Sequence, residues 1–214
     1  MQPPMQRVLL TAAMVCAPAA LFAQFEGAIT VGLASPQGSQ QMTYQVRGSV
    51  IRLDFTGNGM AGYVLHDNEK NTTKMVMPAQ RMYMDMSALQ GMVAQETAKS
   101  SPTDFKLTGK KETIAGYECE HGIVTSDDGQ YDVCLAKGLG SFYMQQGPMG
   151  RGRAGGPPAA LARLGRDLFP LKVQKVGGDV SLQVTKIEKK SLDPSMFTIP
   201  DGFQSMSMPG RPPL

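Results

Sequence analysis

The chain has 214 residues, with 21 Lys and Arg against 18 Asp and Glu, two His, three Cys, sixteen Met and no Trp. A net charge of +3 is too near neutral to draw it to nucleic acid or another polyanion. Its length suits one well-buried domain better than two.

Residues 1–23 carry a cationic start at Arg7, an apolar run from Val8 to Val15 and a small-residue end at Ala19 to Ala23, the grammar of a cleavable signal peptide. Pro18 interrupts a run already shorter than the roughly 20 apolar residues that cross a membrane. Cleavage after Ala23 is therefore expected, giving a periplasmic protein with at most peripheral membrane contact. Val15, standing just before Cys16, speaks against lipid attachment there. The remaining residues divide into one β-rich domain over 24–204 and a Pro-rich tail over 205–214 that is expected to be disordered.

The domain opens on Phe25, Gly27, Ile29, Val31 and Leu33 alternating with Glu26, Ala28, Thr30 and Gly32, the period of a half-buried strand. After a turn at Ser35 to Gly38, Met42, Tyr44 and Val46 alternate with polar residues, as do Ile51, Leu53 and Phe55 after Gly48. Asn58-Gly59 marks a hairpin turn. Tyr63 to His66, Thr73 to Met77 and Arg81 to Met86 continue the meander. The spacing Ser87-Ala88-Leu89-Gln90 predicts a capped helix to about Ala98, stopped by Ser100-Ser101-Pro102.

Next come strands flanking Ala115-Gly116, then a turn at Ser126-Asp127-Asp128-Gly129 and a return strand Gln130 to Leu135. Ala136 to Gly147 is open between loop and short helix. Gly147 to Pro158 is rich in Gly, Pro and Arg and should be an exposed tether. It leads to Leu161, Leu164 and Leu168, which share one face of a short amphipathic helix, so that 148–168 reads as a movable cover. Two last strands, Leu171 to Val176 and Val180 to Ile187, meet at Gly177-Gly178.

Three pieces together resemble a family of exported bacterial proteins known as a domain of unknown function: the Val46-Arg47-Gly48 to Arg52-Leu53-Asp54 hairpin, Thr108-Gly109 through Ile114-Ala115-Gly116-Tyr117-Glu118-Cys119, and Asp193 to Phe203. The order of elements also looks like the lipoprotein-carrier half-barrel. That resemblance implies a mainly β fold of about ten strands: a strongly curved antiparallel sheet, an incomplete β-barrel, with two or three short helices and an apolar concave face. It is a likeness of fold and carries no residue's role with it.

Catalytic spacing is missing: there is no Gly-x-Ser-x-Gly, no phosphate-binding Gly loop and no His-Glu-x-x-His, and the acids are scattered through turns. The expectation is a protein that is not an enzyme and needs no cofactor. Cys119 and Cys134 lie on neighbouring strands, and in an oxidising compartment they should form a disulfide closing about 16 residues, a contribution of roughly 3 kcal/mol. Cys119, His121 and Cys134 are also three soft ligands, but only as thiolates, so the sequence favours the disulfide and no metal. Direct pairing of 119 with 134 would set His121 opposite Asp132 and turn Tyr131, Val133 and Leu135 away from Tyr117 and Ile123. Either both faces of the hairpin are covered or a bulge shifts the register.

Met75, Met77, Met82, Met84 and Met86 fall within twelve residues, and on the strand 81–86 its three methionines share a face. Such a cluster is ordinary core, or the lining of a pocket for an acyl chain, or, through Met-x-Met spacing, a Cu(I) site. The favoured function is a binding protein that holds a lipid, a lipoprotein acyl chain or another apolar molecule against these methionines. The alternatives are a copper binder and a structural envelope protein that meets a protein partner along a sheet edge.

Overall fold

The computed structural model describes residues 25–35, 38–57, 60–88, 104–126, 129–140, 142–143, 161 and 168–206. Among these residues twelve strands form one open sheet: β1 (Glu26–Ser35), β2 (Gly38–Arg47), β3 (Val50–Gly57), β4 (Met60–Asp67), β5 (Thr72–Met77), β6 (Met82–Asp85), β7 (Asp104–Ile114), β8 (Tyr117–Ser126), β9 (Gly129–Lys137), β10 (Leu168–Lys175), β11 (Val180–Lys189) and β12 (Gln204–Met206). The spatial order is β12-β6-β5-β4-β3-β2-β1-β11-β10-β9-β8-β7, so the sheet is not closed into a barrel. Every pairing is antiparallel except β12 on β6.

The period-two pattern read from the sequence becomes continuous rows on one face. From Ile187, Ile29 and Tyr44, directly opposed pairs run on through Leu53 and Val64 to Met75 and Met84. In the other direction Leu33, Leu182, Val173, Val133, Gly122 and Leu107 line up in the same way. Leu139, Phe142, Tyr143 and Leu161, from the chain between β9 and β10, pack on this core face. The Tyr44 ring meets both Phe142 and Phe169. Three glycines on this face stand where a Cβ would collide with a phenylalanine ring, Gly27 against Phe25 being the first. Gly62 lies under Phe55 and Gly122 under Phe105, so a flat aromatic covers backbone where a side chain has no room.

The hairpin between β7 and β8 turns on Ala115 and Gly116, with φ of 50° and 83°. Positive φ at both central residues is the turn geometry whose twist matches that of the flanking strands. It sets Glu112 opposite Cys119, while the β8–β9 turn sets His121 opposite Cys134. The cysteines are thus diagonal neighbours rather than directly opposed, and they are joined as expected, with Cα atoms 5.3 Å apart. Both faces of this hairpin are covered. Tyr131, Val133 and Leu135 are buried on one side and Cys119, His121 and Cys134 on the other.

The chain after β11 crosses the outer face. The Lys190 amide donates to Glu26 O and the Leu192 amide to Glu26 Oε1, which holds that carboxyl below its usual range. Asp193 Oδ1 accepts from the Ser195 amide and opens a 3-10 turn at Pro194–Phe197. Arg52 on β3 donates to Met196 O and stacks 3.8 Å over the Tyr63 ring, whose hydroxyl reaches Thr198 O. Ile199 and Phe203 then pack with Tyr63, Leu65, Val76 and Tyr83, and β12 pairs with the edge of β6. The sequence reading ended the domain at 204 and missed this strand.

Helices are the other correction. Among the described residues, helical backbone is confined to two 3-10 turns, at Pro78–Gln80 and Pro194–Phe197, to the pair 87–88 and to the single residue Leu161. The two or three short helices of the sequence reading are not found there. The rest of the helix expected over 87–98 lies outside the described residues, as does most of 158–168. Leu168, expected on a helix face, instead opens β10.

Candidate functional site

Burial falls along the first row of the core face. Ile29 and Tyr44 are inaccessible, Leu53 and Val64 are buried, and Met75 and Met84 at the far end are half-buried. Met77 opposes Met82, so four thioethers form two directly facing pairs on β5 and β6, with Met86 buried just beyond. Side chains opposed in this way have Cβ atoms about 5 Å apart, close enough for long flexible thioethers to touch. The register therefore places Met75, Met77, Met82 and Met84 on one face, all four half-buried.

Next to them sits a histidine that the sequence reading did not use. His66 is buried, its Nδ1 is 2.8 Å from Thr73 Oγ1, and its ring stacks on Tyr143 at 4.3 Å. Burial pushes its pKa below the usual histidine value, opposed by Asn68, Asp67 and the Thr72 backbone, so a neutral ring is favoured. Its place opposite Ile51 and Thr73 puts it on the core face, beside the row that ends in methionine.

The outer face of β7 to β10 carries a second constellation. His121, 4 % exposed, directs Nδ1 at Asp132 Oδ1 (2.6 Å) and Nε2 at Glu112 Oε2 (3.1 Å). Lys172 Nζ stands 3.6 Å from the same Glu112 oxygen and opposes Cys134 across β9 and β10. One ligand atom from each of Glu112, His121 and Cys134 lies within 4.8 Å of the other two. In the oxidised chain the Cys134 sulfur is bound to Cys119 and offers no thiolate. The sequence reading linked His121 with Asp132 but missed Glu112 and Lys172. Counting back from a two-residue turn at Ala115-Gly116 would have found Glu112. No local signal points to Lys172, because a bulge on β10 sets its register.

Among the described residues no helix is long and apolar enough to cross a membrane. A sequence family described as a domain of unknown function (DUF4412) matches residues 25–203. No curated protein matches the sequence. Among solved structures, an uncharacterized conserved protein from Thermus thermophilus is similar at 11% identity, over 86% of this chain and 91% of that one, with a TM-score of 0.47. PNGF-II, solved in space group C2, is similar at 15% identity and a TM-score of 0.48, over 83% of this chain and only 30% of that one.

Proposed function

We propose a carrier role for this chain, which belongs to the DUF4412 family: a periplasmic, non-enzymatic protein that holds a lipid, a lipoprotein acyl chain or another apolar molecule at the methionine end of its core face. In this reading the open sheet curves into a trough like that of the lipoprotein carriers, greasy within and wet without. The observation that supports it is the row from Ile29 to Met84, in which an apolar face runs unbroken out of the buried core and ends half-buried at Met75 and Met84. Thioethers suit an acyl chain because they are flexible and polarisable and adapt to varied shapes. Neutral His66 adds no charge that an apolar ligand would have to desolvate.

Titration with a fluorescent long-chain fatty acid tests the reading. Saturable binding is expected, weakened at least tenfold in Met75→Gln/Met84→Gln with the β-type circular dichroism kept. Absence of saturable binding, or an unweakened variant, would end it. A second reading rests on the facing pairs Met75–Met84 and Met77–Met82, which offer soft ligands to Cu(I). Replacement of all four by Leu separates the two, since it keeps the apolar surface and removes the sulfur. Fatty-acid binding should survive it, whereas a copper site would be lost.

A further inference from the structure

We infer that the constellation around His121 is a redox-gated metal site, which takes a divalent cation of the zinc class when the Cys119–Cys134 disulfide is reduced. The site lies on the opposite face from the methionines and does not depend on the carrier reading.

Four features carry the inference. Glu112, His121 and Cys134 come from three adjacent strands, and their ligand atoms gather within 4.8 Å. Zinc bonds of about 2.0–2.3 Å in a tetrahedron place neighbouring ligand atoms roughly 3.4–3.7 Å apart, so small side-chain rotations suffice. His121 is already oriented as a ligand: Asp132 accepts from Nδ1–H, which leaves Nε2 as the metal-facing nitrogen, the carboxylate–histidine arrangement of zinc proteins. Cys119, now bonded to Cys134, supplies the fourth donor once the bond is cut. Two thiolates and a carboxylate leave one negative charge on a divalent ion, and the Lys172 ammonium faces that carboxylate.

The chemistry balances with a dithiol as the reductant. Its two sulfurs exchange with the protein disulfide, passing two electrons and two protons to Cys119 and Cys134 and closing into a disulfide of their own. The cation then displaces both thiol protons to solvent, along with any proton on Nε2. Oxidation of the thiolates releases the ion. One pair of sulfurs thus either cross-links β8 to β9 or holds the metal, never both.

Cys119→Ser tests this without a reductant, because it frees the Cys134 thiolate beside His121 and Glu112. The experiment uses the full chain with Cys16 also replaced by Ser, and Co(II) as the optical probe. Expected are one Co(II) per chain, a thiolate-to-cobalt charge-transfer band with tetrahedral d–d absorption, and displacement by Zn(II). Oxidised chain with Cys119 and Cys134 intact should give no band, nor should Cys119→Ser/Cys134→Ser. Adding His121→Gln or Glu112→Gln to Cys119→Ser should weaken uptake at least tenfold. A folded Cys119→Ser chain with no thiolate–cobalt band would overturn the inference, as would uptake indifferent to His121. Should Cys119→Ser misfold, the same titration is run on phosphine-reduced chain with two thiols counted, and failure to bind there is equally decisive.

Discussion

Arg52→Ala should unfasten the C-terminal crossing from the sheet. The Arg52 side chain is 18% exposed and makes three contacts at once. Its Nη1 donates to Met196 O at 2.9 Å, a bond from a charged donor worth about 1.5–3 kcal/mol. The guanidinium sits 3.8 Å from the Tyr63 ring centroid, worth about 0.5–1 kcal/mol. Its ion pair with Asp54, whose side chain is 47% exposed, adds less than about 1 kcal/mol. Allowing for non-additivity, the expected loss is about 3 kcal/mol. Most of it should appear locally, since β1 to β5 keep their own ladders. Denaturant unfolding gives the total, and hydrogen exchange gives its location. The Leu192 and Gln204 amides, bonded to Glu26 and Arg81, should lose protection well before those of β3 and β4. Arg52→Lys, which cannot span all three partners, should recover only part. If the strap amides stay as protected as the sheet, or stability falls by less than about 0.5 kcal/mol, the crossing is not held at Arg52 and this account of the outer face fails.

Two further outcomes follow from single residues. The folded-state pKa of His66 is lowered by burial from its ordinary 6.5, so the unfolded chain binds the extra proton first. Its contribution is complete above about pH 6.5 and is lost as pH falls through the folded-state value. Wild type should therefore lose stability relative to His66→Gln on acidification, with a difference in slope of at most about 1.4 kcal/mol per pH unit, read from urea unfolding between pH 5 and 8. Parallel slopes would remove the burial argument. Ala115→Asn should stabilise by about 0.5–1 kcal/mol, because Ala115 sits exposed in its turn at φ 50°, where Asn is far better tolerated. A lower thermal midpoint would show that the turn geometry is mistaken.

Most of the sheet was legible because period-two alternation is a local property. Phe25 to Leu33, Met42 to Val46 and Ile51 to Phe55 can be read without knowing their neighbours, and turn residues such as Gly48 and Gly177-Gly178 give the hairpins. The failures were non-local. Gln204–Met206 pairs in parallel with β6 across more than a hundred residues, and nothing in three residues announces that. The Cys119–Cys134 bridge was legible but its register was not: Ser126 pairs with Gly129, which sets 121 opposite 134 and makes the bridge diagonal. The methionines were found by their spacing, but that Met75 faces Met84 could come only from the β5–β6 register. Glu112 and Lys172 belong to the His121 group for the same reason: cross-strand partners are chosen by register, which sequence composition does not encode.

The two constellations should therefore respond independently. Val133 belongs to the core-face row and Cys134 to the outer face, so adjacent residues of β9 serve opposite sides of the sheet. From β9 to β5 the sheet order passes through β10, β11, β1, β2, β3 and β4, and the first apolar row runs along the second half of that path. Reduction at 119 and 134 removes a covalent link between β8 and β9 while their backbone ladder remains, so the register that aligns Met75 with Met84 is undisturbed. Sites separated by this many strands are additive to within about 0.5 kcal/mol. Fatty-acid affinity should then be the same in oxidised chain and in Cys119→Ser. A tenfold change would mean that the sheet transmits strain across its whole width, and the outer-face cysteines would have to be counted as part of the apolar site.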